Sequence, residues 1–145
     1  MIKNLVATLL CLLTGAGSTS NSVGPAREAT YDCVVKQIYT LEHDGELRLS
    51  NYSAQAKGDH FVVSRTTGQI VGSWLTTAKA TSAEALREGD DHDWSFQVLA
   101  RFDVGPNHNA QVIEIRGWAE GPRKPFVAAA FGGAGIITGF CEDRS

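Results

Sequence analysis
From Tyr31 onward, apolar residues recur with period two and are interrupted every few positions by turn chemistry, a pattern that commits the chain to short β-strands. The clearest run is Trp94, Phe96, Val98, Ala100 and Phe102, which point one way while Ser95, Gln97 and Arg101 point the other; Leu99 breaks the alternation. Cys33, Val35, Tyr39 and Leu41 are expected to share a face opposite Asp32, Lys36 and Thr40, with Val34, Gln37 and Ile38 blurring the pattern. Asp44-Gly45 favours a tight turn because glycine accepts positive φ, and Leu47 and Leu49 form the returning arm. Phe61-Val62-Val63 and the run from Ile70 to Leu75, joined through Thr66-Thr67-Gly68-Gln69, predict a second hairpin. Strands over Gln111 to Ala119, Phe126 to Phe131 and Ile136 to Cys141 complete the set, separated by a rigid basic loop from Gly121 to Pro125 and a glycine turn from Gly132 to Gly135. Thr81 to Glu88 is the one passage with helical character, since Thr81 and Glu84 are spaced as a capping box, Ala83, Ala85 and Leu86 favour helix, and Gly89 stops it. The expectation is a mainly β domain, a small antiparallel barrel or compact sandwich of about eight strands with one short helix.

That domain is preceded by an export signal. Met1 to Ser22 carries Lys3, an apolar run from Leu5 to Leu13 broken by Thr8, and small residues at Gly15, Ala16, Gly17 and Ser18, so cleavage is expected after Ala16 or Ser18. The run is too short to span a bilayer, and no stable membrane span is expected once the signal is removed. The organisation is therefore a signal peptide over 1–18, a flexible leader over 19–30 containing Pro25, and one β-rich domain over 31–145. Export removes Cys11 and leaves Cys33 and Cys141 in a secreted or periplasmic, oxidising compartment, where a disulfide is expected. Neither cysteine has a second Cys or a His at ligand spacing, and both have acidic neighbours that disfavour a thiolate. If they are bonded, the first and last strands are neighbours, as a sheet closing on itself would require.

The 145 residues are 43% hydrophobic and 20% charged, enough apolar material for a packed core in one domain. The net charge of −3 and the absence of a basic stripe exclude the phosphate-neutralising surface that a nucleic acid would need. Glu88-Gly89-Asp90-Asp91-His92-Asp93 is oxygen-rich but fits no calcium loop and reads as a solvated turn. His43, His60, His92 and His108 fall in turns or at strand edges without helical metal spacing. No nucleophile elbow occurs, the separation of Glu114 and Glu120 is not readable, and Gly132 to Gly135 precedes a strand where a phosphate loop precedes a helix. No catalytic residue, metal ligand or cofactor is assigned. Asn51-Tyr52-Ser53 matches a glycosylation sequon.

Two candidate binding surfaces remain. Arg123 and Lys124, held between Pro122 and Pro125, would present pre-organised positive charge to an acidic partner. Trp74 and Trp118, with Trp94, Phe96 and Phe102, would line the mouth of a barrel around a small apolar ligand, or simply fill its core. A start at Tyr31-Asp32-Cys33, an end at Cys141 and a small exported β-domain resemble, in architecture, the periplasmic lysozyme-inhibitor proteins. The inhibitory Ser-Gly loop of that family has no counterpart, because Gly72-Ser73 has the reverse order, so no functional residue is carried over. Gly72-Ser73-Trp74 also resembles the lipocalin G-x-W triplet, displaced from the domain start. The leading expectation is an exported non-enzymatic binding module with a protein partner, of the cell-envelope inhibitor or immunity type. A small apolar-ligand carrier and a metal-assisted hydrolase are the alternatives.

Overall fold
The structure, a computed structural model, describes residues 29–87, 94–104, 107–131 and 135–144. The signal peptide, nearly all of the leader, the acidic cluster over 88–93 and most of the glycine turn lie outside the described residues. The described chain forms β1 (Thr30–Leu41), β2 (Leu47–Leu49), α1 (Ser53–Ala56), β3 (His60–Ser64), β4 (Ile70–Gly72), β5 (Ser82–Arg87), β6 (Phe96–Val104), β7 (Asn107–Ile115), β8 (Arg123–Ala130) and β9 (Gly135–Arg144). All nine strands belong to one antiparallel sheet in the order β4-β3-β1-β9-β8-β7-β6-β5, with β2 added to the far end of β1. The sheet curls into a half-barrel, the open relative of the expected barrel.

Both expected hairpins form. Leu47 and Leu49 pair with Leu41 and Tyr39, and Gly45 takes φ +85° in the turn between them. Phe61, Val62 and Val63 pair with Gly72, Val71 and Ile70. Phe96, Val98 and Ala100 are fully buried, as their alternation requires. Phe96 and Val98 meet Cys33, Val35, Ile38, Phe61, Val63, Ile113, Ile115, Ala128 and Ile137 in one apolar cluster on the concave side. Within it Phe61 and Phe126 pack edge to face at 5.1 Å.

The helix is not where propensity places it. Ser82 to Arg87 is β5, laddered against β6 from Ser82↔Arg101 to Arg87↔Gln97. Ala83 and Ala85 are half-buried while Ser82, Glu84 and Leu86 are split between the other face and solvent, so a period of two was present beneath the helix-forming composition. A ladder to a core strand outweighs the few tenths of a kcal/mol per residue that separate good from middling helix formers. The Thr81 hydroxyl, expected to cap a helix, instead accepts a hydrogen bond from the Asp103 amide at 3.0 Å.

Cys33 and Cys141 are bonded and fully buried, directly opposite each other on β1 and β9 with Cα atoms 3.9 Å apart. The first and last strands are neighbours, but they lie in the middle of the sheet; its free ends are β4 and β5, so the disulfide staples the centre and closes nothing. What draws the free ends together is the β3–β4 turn, where Gly68 sits so close to β5 that a side chain there would come 2.7 Å from the carbonyl carbon of Glu84.

A bulge in β1 matters most for function. The register slips between Val35 and Gln37, so that Val35 and Ile38 both face the core and Lys36 stands out from the strand. Beyond the slip the phase is inverted, and Tyr39 and Leu41 leave the face of Cys33 and Val35, contrary to the single alternation expected from sequence. On its other edge β1 has no strand partner between Val34, which pairs with β3, and Tyr39, which pairs with β2, and the backbone groups there are met by the segment carrying α1. Val35 N donates to Asp59 O, Gly58 N to Val35 O and Ser50 N to Ile38 O, at 2.8 to 2.9 Å, while Ile38 N donates to the buried Ser53 Oγ at 3.1 Å. Ser53→Ala should therefore cost about 1 to 3 kcal/mol, the penalty for a buried donor left unpaired, measured by urea unfolding, and should speed amide exchange at Ile38.

Candidate functional site
Arg123 and Lys124 do not form a loop; they open β8, and adjacent strand residues project to opposite faces. Lys124 pairs with Cys141, and its Nζ donates to the Ala119 carbonyl at 2.6 Å. Arg123 pairs with Glu142 on the convex face, its guanidinium 5.0 Å from the centre of the Phe140 ring. The two expected binding cations thus do not act together. Around Arg123 lies a small cleft of about 120 Å³ whose carboxylates are already paired: Arg144 reaches Asp32 at 3.6 Å and Glu142 at 3.5 Å, and His60 Nδ1 lies 3.5 Å from Asp32.

The tryptophans are separated as well. Trp74 packs partly buried on the core and against Tyr52, ring centres 5.9 Å apart, whereas Trp118 is exposed and donates from Nε1 to Ser95 Oγ at 3.3 Å. Trp94 is exposed beneath the Arg87 guanidinium at 4.1 Å, and Phe96 is core. The concave side is occupied by the apolar cluster, which accounts for the aromatic alternation by packing. Among the described residues no group of three or more His, Cys, Asp or Glu side chains comes together at metal-binding range, and no helix is long and apolar enough to cross a membrane. His108 Nδ1 lies 2.8 Å from the Asp103 carboxylate, and this hydrogen bond is the main reason that the Asp103 pKa falls below the ordinary aspartate value.

A groove of about 850 Å³, within the range that holds a small ligand, lies instead on the convex face. Its floor is the outer surface of β1, β9 and β8, where Gln37, Thr138 and Val127 stand side by side in register, and its wall is the segment from Leu49 to Lys57 that bridges the bulge. Phe126 and Gly139, neighbours in register, also border the groove, while the Phe126 ring itself packs in the core against Phe61. Among the described residues three cations line the groove, Lys36 at the bulge, Lys57 at the end of α1 and Arg116 just after β7, and no acidic residue does. Arg116 is shared with Glu114 at 3.7 Å, but neither Lys36 nor Lys57 has an ion-pair partner among the described residues.

Farther along the same strands the convex face turns apolar. Tyr39, Ile136, Ala129, Val112 and Leu99 form an unbroken cross-strand row over five strands. Beside the row a second depression of about 490 Å³, lined by Leu41, Leu47, Ala129, Phe131 and Ile136 among others, contains no ionisable side chain. Leu41, Leu47, Leu49 and Phe131 are 63%, 54%, 58% and 61% exposed. None of these positions was singled out from sequence, because the bulge that brings Tyr39 and Leu41 to this face is invisible until the strands are paired. Lys36 between Val35 and Gln37, at the point where the alternation blurs, is the one local signal that pointed to it.

Comparison of the chain with protein-family models, with curated proteins and with solved structures finds no match.

Proposed function
We propose that this protein is an exported, non-enzymatic binding module that engages a protein partner through the convex face of its sheet, in the manner of a cell-envelope inhibitor or immunity-type protein. The observation that carries the reading is the patch of Leu41, Leu47, Leu49 and Phe131, four large apolar side chains each more than half exposed on one face. Such side chains in contiguity mark interaction surfaces, since leaving them in water forgoes about 1.5 to 3 kcal/mol apiece. The buried disulfide is compatible with a secreted or periplasmic location, where thiols are oxidised.

Affinity capture from an envelope extract tests the proposal, with the wild-type chain and a Leu47→Asp/Phe131→Asp variant as parallel baits. One protein should be retained by the wild type and lost with the variant, and purified on its own it should bind the wild type directly. A purified chain that turns over a substrate, with no partner sensitive to these substitutions, ends the reading.

A further inference from the structure
We infer that the groove beneath α1 is a site for a free single-chain anionic amphiphile, a carboxylate or phosphate on an acyl tail. This goes beyond the partner reading and does not depend on it. The register arranges polarity along one direction. At one end, Arg116 N donates to Pro125 O, Pro125 pairs with Phe140, Phe140 pairs with Val34, and Gly58 N donates to Val35 O. That transverse line runs from Arg116 to Val34, with Lys36 one to two residues farther along β1 and Lys57 beside Gly58. From it β8 runs outward through Val127 and Ala129 to Phe131, β9 through Thr138 to Ile136, and β1 to Tyr39 and Leu41, with Leu49 opposite Tyr39. Six residue steps from Pro125 to Phe131 cover roughly 20 Å at strand rise.

A cationic end therefore passes toward an apolar row, and Glu114, which stands beside Val127 in register, is paired with Arg116 at 3.7 Å and leaves Lys36 and Lys57 without an ion-pair partner among the described residues. Lys36 and Lys57 are exposed and have no ion-pair partner among the described residues, so an anion entering the groove gains charge-assisted contacts without breaking an existing pair. A neutral apolar ligand would make no use of them, and a cationic one would be repelled. The bulge and the α1 bridge build the site together, the first by projecting Lys36 and the second by supplying the wall and Lys57.

The test is calorimetric titration of the purified full chain with dodecanoate below its micelle concentration, against dodecanol and dodecyltrimethylammonium as neutral and cationic tails of equal length. Dodecanoate should saturate a single site at least about tenfold more tightly than either control. The Lys36→Glu/Lys57→Glu variant should weaken dodecanoate by about tenfold or more and leave dodecanol unchanged, and Val127→Trp, which fills the floor, should weaken both. Thermal melts establish that each variant is folded; both substitutions lie on the solvent side of the sheet. Equal affinity for all three tails reduces the groove to an apolar sink and overturns the inference. So does a folded wild type that binds no dodecanoate, or one that binds only to phosphatidylglycerol vesicles, which would assign the face to a membrane surface. A folded wild type that captures the convex-face protein partner but binds no dodecanoate refutes this inference alone.

Discussion

Replacing Cys33 and Cys141 together by alanine lowers the unfolding free energy by about 4 to 5 kcal/mol and the melting temperature by roughly 20 °C, while the fold survives. The magnitude follows from where the bond sits in sequence: it spans 108 residues, and opening so long a loop returns the most conformational entropy to the unfolded chain. The survival of the fold follows from where the bond sits in space. β1 and β9 are paired from Thr30↔Arg144 to Tyr39↔Ile136, well beyond Cys33↔Cys141, so the native ladder does not need the sulfurs to find its register. Equilibrium urea unfolding of the oxidised wild type and the double variant measures the difference, and the variant should show a larger m-value because its unfolded chain is more expanded. A loss below about 1 kcal/mol would mean that the unfolded state is already compact without the bond.

Gly139→Val is expected to be the most damaging single substitution on the floor of the groove, costing about 3 kcal/mol or more. Gly139 faces the core opposite Val35, just before the bulge, and a Cβ built on it overlaps the Val34 carbonyl oxygen and lies 2.6 Å from Phe126 Cε1. The Phe126 ring can turn; the carbonyl belongs to the central strand and cannot move without breaking ladder bonds. The effect is one of space, because this glycine does not adopt a positive φ. Thr138→Val, one position away on the convex side, should stay within about 0.5 kcal/mol. Comparable losses at both positions by thermal or chemical denaturation would contradict the packing described for this part of the sheet.

Local order was legible from the residues alone wherever a few adjacent positions settle it. Asp44-Gly45 set the first hairpin, and Phe61-Val62-Val63 with Ile70 set the second. Phe96, Val98 and Ala100 announced a core strand, and the oxidised Cys33–Cys141 pair needed only the cysteine count and the expectation of an oxidising compartment. Where composition and period disagreed, over Ser82 to Arg87, propensity misled, because alanine and glutamate favour helix only until a neighbouring strand offers a ladder. Arg123 and Lys124 misled for a related reason. Two adjacent cations in a proline-flanked segment look like one feature, yet extending the segment into β8 sends them to opposite faces.

The candidate site belongs wholly to tertiary structure. Lys36, Lys57 and Arg116 are far apart along the chain and unremarkable in their surroundings; they line one groove because a one-residue bulge inverts the phase of β1 and a short helical bridge covers its other edge between β3 and β2. The chain itself determined that strands would form, where the hairpins turn and that a disulfide would join the two ends of the domain. The fold decided that this bond lies at the centre of an open sheet, and that the polar-to-apolar groove lies on its convex side. The physical reason is that a period of two records which residues alternate but not which partner lies opposite, and a slip of one residue exchanges the faces of everything beyond it.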